Sequence, residues 1–189
     1  MLLPNLEIKK AYLWVTLLIF LQMVNANDFA TSGAYINANA GFGTMQYLPT
    51  GSFAATLNAG YAFNRSFGLE GGYAWLPSSQ YGASQYNNIF DVAAKGTLPL
   101  SRVFALYGRL GAGLNYQSFS GTTNPGTPSS YCQNSTMSNF VGLAGVGGSF
   151  AISNHFDLRV EDTIYVPFGG GNQSAGATNL VLGGVQYNF

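Results

Sequence analysis

The chain has 189 residues with 7 basic and 7 acidic side chains, so charged residues make up 7% of it, against roughly 25% in an average soluble domain. A 15% aromatic content excludes a disordered chain, the zero net charge excludes an electrostatic nucleic-acid binder, and the scarcity of charge excludes an ordinary wetted surface. A mean hydropathy of only +0.14 argues against a bundle of membrane helices.

In chain order, Lys9 and Lys10 precede an apolar run from Ala11 to Val24, and Val24-Asn25-Ala26 places small residues at the positions a signal peptidase reads. The run is short of the roughly 20 residues a spanning helix needs. The expected organisation is therefore a signal peptide over 1–26, cleaved after Ala26, and one domain over 27–189. Cys132 is the single cysteine, so no internal disulfide is expected, and it reads as a loop residue without a role.

Beyond Ala26 apolar residues recur with period two, the signature of half-exposed strands. Ala34, Ile36, Ala38, Ala40 and Phe42 alternate with Tyr35, Asn37, Asn39 and Gly41. Phe53 to Phe63, Phe67 to Trp75, Phe90 to Leu98 and Phe104 to Tyr116 repeat the pattern. A sixth run, Phe140 to Ile152, is apolar on both parities and cannot be phased. Phe156, Leu158, Val160, Ile164 and Val166 form the seventh, and Val181, Val185, Tyr187 and Phe189 the eighth. Short connections at 64–66, 99–102 and 153–154 alternate with long ones at 44–51, 77–88, 117–138 and 167–177. Eight strands of about 9–11 residues with this alternation predict an all-β, antiparallel up-and-down transmembrane barrel.

Charge placement tests the phasing. Glu70, Asp91, Lys95, Arg109, Asp157, Arg159 and Glu161 all fall on the polar parity, whereas Arg65 and Arg102 fall in short turns. Asp162 alone falls on the apolar parity, which predicts either a position near the outer interface or displacement by a bulge. Aromatic residues gather at both strand ends: Tyr61, Phe63, Phe67, Phe104, Phe150, Phe156, Tyr187 and Phe189 by the short turns, and Phe42, Phe53, Trp75, Phe90, Tyr116 and Phe140 by the long connections. Two such belts match two membrane interfaces.

With these residues in hand, the segments LPLSRVFALYGRLGAGLNY (98–116), GSFAISNHFDLRVED (148–162) and GGVQYNF (183–189) resemble the OmpA-type eight-stranded barrels and related small surface antigens of Gram-negative outer membranes. The resemblance implies an outer-membrane location with both termini near the periplasm, contact with outer-membrane lipid and lipopolysaccharide, and a monomer. It implies that Gly184, Tyr187 and Phe189 form the signal read by the barrel-assembly machinery; the expectation that no peptidoglycan-binding domain follows is a departure from that family's pattern. Barrels of that type carry a Glu/Lys/Arg/Glu cluster inside, matched here by Glu70, Lys95, Arg109 and Glu161, two charges of each sign.

Counting from the turns places these four and Arg159 at similar heights, with Asp91 and Asp157 on the same parity. Such a cluster reads as a plug, with a gated path for ions or small solutes as the alternative. His155, the only histidine, lies beside a short turn without an activated Ser, and no metal spacing, P-loop or dinucleotide fingerprint is present. No catalysis, cofactor, metal or nucleic-acid partner is therefore expected, and the uncharged segment 117–138 is the candidate for binding a surface ligand. The expected function is that of a non-enzymatic envelope protein, structural or surface-interacting, with a small porin as the alternative.

Overall fold

A computed structural model describes residues 32–45, 48–80, 83–122, 132–168 and 176–189, and Ala26 with the rest of the expected signal peptide lies outside them. Eight antiparallel strands run β1 (Gly33–Met45), β2 (Leu48–Ala62), β3 (Phe67–Gln80), β4 (Ala83–Pro99), β5 (Phe104–Thr122), β6 (Cys132–Ala151), β7 (Phe156–Pro167) and β8 (Thr178–Asn188). Each pairs with its neighbour in sequence, and β1 pairs with β8 through Ile36↔Tyr187 and Ala38↔Val185, closing the barrel. Closure removes every strand edge within the wall, so no ladder group there needs water.

Alternation decides which side chains line the interior. On β1, Tyr35, Asn37 and Asn39 are buried, and Ala34, Ile36 and Ala38 are exposed. On β7, Asp157, Arg159, Glu161, Thr163 and Tyr165 are buried between exposed Leu158, Val160 and Ile164. The unphased sixth strand takes its parity from pairing. Val141, Leu143, Ser149 and Ala151 point inward, while Phe140 and Val146 point outward. Outside, aliphatic residues such as Leu57, Leu110 and Val160 separate an aromatic belt at the short-turn end (Tyr61, Phe63, Phe67, Phe156) from one at the opposite end (Phe42, Phe53, Phe90, Phe140). Phe168, not anticipated in the sequence, joins the second belt.

The strands are longer than the sequence pattern predicts. Instead of long connections at 44–51 and 77–88, β1 reaches Met45, β2 starts at Leu48, and Gln80 pairs with Ala83. The expected loop 117–138 is mostly strand, since Thr122 pairs with Cys132, so Cys132 begins β6 rather than lying in a loop. Pairing of β6 with β7 starts only at Val141↔Pro167, and that of β2 with β3 only at Ala55↔Trp75. The far ends of β3–β6 therefore stand above the closed wall as a sheet. Hydropathy alternates only where one face meets lipid, so the pattern stops at the membrane boundary while the ladder continues.

Asp162 also departs from expectation. No register shift occurs along β7, and Asp162 pairs with Val146 and Val181, both outward-facing. It lies neither at a bulge nor at the outer interface, but midway between the belt residues Phe156 and Phe168.

Candidate functional site

The interior is filled in layers, and the central layer holds the charges. Glu70 enters from β3, Asp91 and Lys95 from β4, Arg109 from β5, and Arg159 and Glu161 from β7. The Arg109 guanidinium touches three carboxylates: Nη1 lies 2.7 Å from Glu161 Oε1, Nε 3.0 Å from Glu70 Oε1, and Nη2 3.3 Å from Asp91 Oδ1. Arg159 bridges two of the same acids, 2.8 Å from Glu161 Oε2 and 3.2 Å from Glu70 Oε2. The planar fork of Arg suits such multiple contacts, which the ammonium of Lys cannot reproduce.

Tyrosines complete the layer. The hydroxyl of Tyr35 donates to Glu70 at 3.0 Å, that of Tyr107 to Glu161 at 3.0 Å, and that of Tyr165 to Asp91 at 2.8 Å. Arg159 Nε in turn donates to the Tyr107 hydroxyl at 3.1 Å. On the β1–β2 side, Asn37 donates to Glu70 at 3.3 Å and accepts from Asn39 at 2.9 Å and Asn58 at 2.6 Å. Room for the rings comes from glycine. A Cβ at Gly147 would collide with the Tyr107 ring and with the Val160 carbonyl.

Two assignments from the sequence change. The expected quartet of Glu70, Lys95, Arg109 and Glu161 is instead organised by Arg109 and Arg159. Lys95 Nζ is 3.9 Å from Glu70 and is held mainly over the Tyr35 and Tyr107 rings, at 4.6 and 4.8 Å from their centroids. Asp157 stands apart, accepting from Asn188 at 2.9 Å and Gln186 at 3.3 Å near the short-turn end. Between that group, Lys95 and the Asn64–Phe67 turn lies a pocket of about 60 Å³, open at the short-turn end and roomy enough for a few water molecules.

Above the charged layer the interior is mainly apolar, with Asn87 and Asn115 buried beside Leu76 and Ile89. Leu76, Ile89, Val141, Leu143, Leu180 and Leu182 pack together with Ala54, Ala74 and Ala93, all essentially without solvent exposure. Sequence reasoning missed this layer because apolar residues had been assigned to the outer face. Parity carried past Trp75 and back from Val181 would have turned Leu76, Leu180 and Leu182 inward.

At the closing seam, Tyr187 faces outward from β8, opposite Phe156 on β7 and Ile36 on β1. Its ring meets Phe156 and Phe189 edge-on, both with centroids 5.1 Å away, and stacks with His155 at 5.8 Å. Gly184 lies where a side chain would strike the Ala38 carbonyl and the Asn39 amide. Among the described residues, no group of His, Cys, Asp and Glu is arranged to hold a metal ion.

Comparison with known proteins agrees with this architecture. The family model described as "Outer membrane protein beta-barrel domain" matches residues 13–189. Neisserial surface protein A superposes with a TM-score of 0.62 at 18% identity, covering 85% of this chain and 99% of that one. Ail of Yersinia pestis, solved with the heparin analogue sucrose octasulfate, gives 0.57 at 18% identity, covering 85% and 99%. The outer membrane enzyme PagL gives 0.50 at 16% identity, covering 82% and 99%. No curated protein matches the sequence.

Proposed function

The chain belongs to the outer membrane protein β-barrel family of Gram-negative outer membranes, and from that premise we propose that it is a closed, non-enzymatic barrel whose extracellular sheet carries its interactions. The observation behind this reading is the filled interior. A continuous water path would have to cross both the Arg109–Arg159 ion-pair layer and the Leu76–Ile89–Leu180–Leu182 layer. Opening the first separates buried charges, at about 3–5 kcal/mol for each broken pair. Opening the second exposes leucines to water.

The placement of side chains supports a non-catalytic role. The only histidine stacks on Tyr187 at a periplasmic turn, and the acids and bases of the central layer neutralise one another. The two aromatic belts fit contact with lipid and lipopolysaccharide at the interfaces, and the exposed Phe189 fits reading by the barrel-assembly machinery. For surface recognition, the candidate is the sheet made by the far ends of β3–β6, which includes most of 117–138. A sulfated polyanion of the kind solved with Ail has no cationic counterpart on this sheet. Arg65 and Arg102 lie in periplasmic turns, and Lys95, Arg109 and Arg159 line the lumen. A partner would therefore be met by neutral polar and aromatic side chains and by the backbone.

Planar-bilayer recording of the purified barrel tests the reading. No steady conductance is expected. Reproducible channels whose conductance changes in Arg109→Ala would replace it with the porin reading.

A further inference from the structure

Exposed positive charge in this barrel is confined to one rim. Among the described residues, the only exposed lysine or arginine side chains are Arg65, in the β2–β3 turn, and Arg102, in the β4–β5 turn. Neither has an ion-pair partner among those residues, and no acidic side chain of theirs is exposed at that end. The two turns are neighbours, since the Thr97 amide at the base of β4 donates to the Ser66 carbonyl at 2.9 Å. Beside them a furrow opens on the outer wall. Ser66 and Thr97 line its rim end, Leu98 and Leu106 flank it, and Gly96 and Gly108 form its floor. It exists because side chains are missing: a Cβ at Gly96 would meet nothing within 4 Å, and one at Gly108 only the Gly145 carbonyl oxygen, at 3.8 Å. The floor follows the register row Phe67–Gly96–Gly108–Val146, and Val146 pairs with Asp162, midway between the aromatic belts. The furrow therefore climbs from the periplasmic interface to the middle of the membrane, the depth of one leaflet.

We propose that this furrow binds an anionic phospholipid of the periplasmic leaflet, with the phosphate at Arg65 and Arg102 and one acyl chain over Gly96 and Gly108. The lining has the polarity of that ligand in the right order, cationic and hydroxyl-bearing at the rim and apolar above it. Guanidinium groups match phosphate oxygens in charge and in paired hydrogen-bond geometry. A neutral lipid would fill the furrow yet leave both arginines without a counter-charge. A second barrel related by a two-fold axis would bring the same arginines against each other. Lipopolysaccharide lies in the opposite leaflet, where the described strand ends carry no lysine or arginine for its phosphates. The proposal rests on the barrel's place in the membrane, and neither on the closed lumen nor on what the extracellular sheet binds.

Native mass spectrometry of the purified barrel tests it, with protein released from micelles holding phosphatidylglycerol and phosphatidylcholine in equal amounts. Retention of phosphatidylglycerol over phosphatidylcholine is expected. Arg65→Gln and Arg102→Gln should each lower that retention about fivefold, the worth of one basic side chain at an anionic surface. Gly108→Leu fills the furrow and should remove the retained lipid, whereas Gly183→Leu, outward on the distant β8 wall, should change nothing. Lipopolysaccharide added in equal amount should not displace the phospholipid. The gel shift between unheated and boiled samples shows that each variant is folded, and Gly96→Leu gives the same readout should Gly108→Leu fail to fold. Equal retention of the two phospholipids, indifference to both arginine substitutions, retention that survives a filled furrow, or displacement by lipopolysaccharide would overturn the proposal.

Discussion

Replacing Arg109 by Ala is the most informative single perturbation of the lumen, because the three acids it touches lose unequally. Glu70 keeps Arg159 at 3.2 Å and the Tyr35 hydroxyl, and Glu161 keeps Arg159 at 2.8 Å and the Tyr107 hydroxyl. Among the described residues, Asp91 keeps only the Tyr165 hydroxyl at 2.8 Å and no cation. Removing one partner of a buried pair costs about 3–5 kcal/mol, much of it from the charge left behind. Arg109→Ala should therefore destabilise the barrel by that amount, whereas Arg102→Ala, in an exposed turn, should stay within about 0.5 kcal/mol. The structure also identifies the rescue. Adding Asp91→Asn to Arg109→Ala removes the orphaned charge and should recover about 1–2 kcal/mol, while adding Glu161→Gln breaks a surviving contact with Arg159 and should recover nothing. Urea unfolding in lipid vesicles, followed by Trp75 fluorescence and by gel mobility, measures all four variants. Equal rescue by the two second substitutions, or equal cost at Arg109 and Arg102, would refute this account of the layer.

Gly147→Ala should cost about 1–3 kcal/mol in the same urea assay, because its Cβ strikes the Tyr107 ring and a backbone carbonyl, while Gly96→Ala, with open space around it, should be neutral. Deleting Phe189 should lower the folded amount in the outer membrane of cells yet leave refolding into vesicles intact, measured by the heat-dependent gel shift. Replacing 123–131 by an Asn-Gly turn should leave the urea midpoint unchanged, because pairing already extends to Thr122↔Cys132.

Much of this protein follows from the chain read alone. Lipid on one side and a packed interior on the other impose period-two alternation, so strand number, inward parity and the aromatic belts are legible from residues such as Ala34–Phe42 and Phe156–Val166. The scarcity of charge likewise marks Glu70, Asp91, Lys95, Arg109, Asp157, Arg159 and Glu161 as a group on the inward parity. Alternation fails where both faces meet the same medium. Outside the bilayer both sides of the sheet are wet, so the far ends of β3–β6 look like loops in the sequence. Along the upper lumen the inward residues of β6, Val141 and Leu143, are as apolar as the outward ones, so β6 cannot be phased and the Leu76–Leu180–Leu182 layer is invisible as a plug. Partner choice depends on distances across the lumen between residues far apart in the chain. Only the closed barrel could therefore assign three carboxylates to Arg109, set Lys95 over two tyrosine rings and separate Asp157 from the cluster. Asp162 depends on both kinds of information. Its parity was visible in the sequence, but only an unbroken β7 register placed it in the middle of the wall.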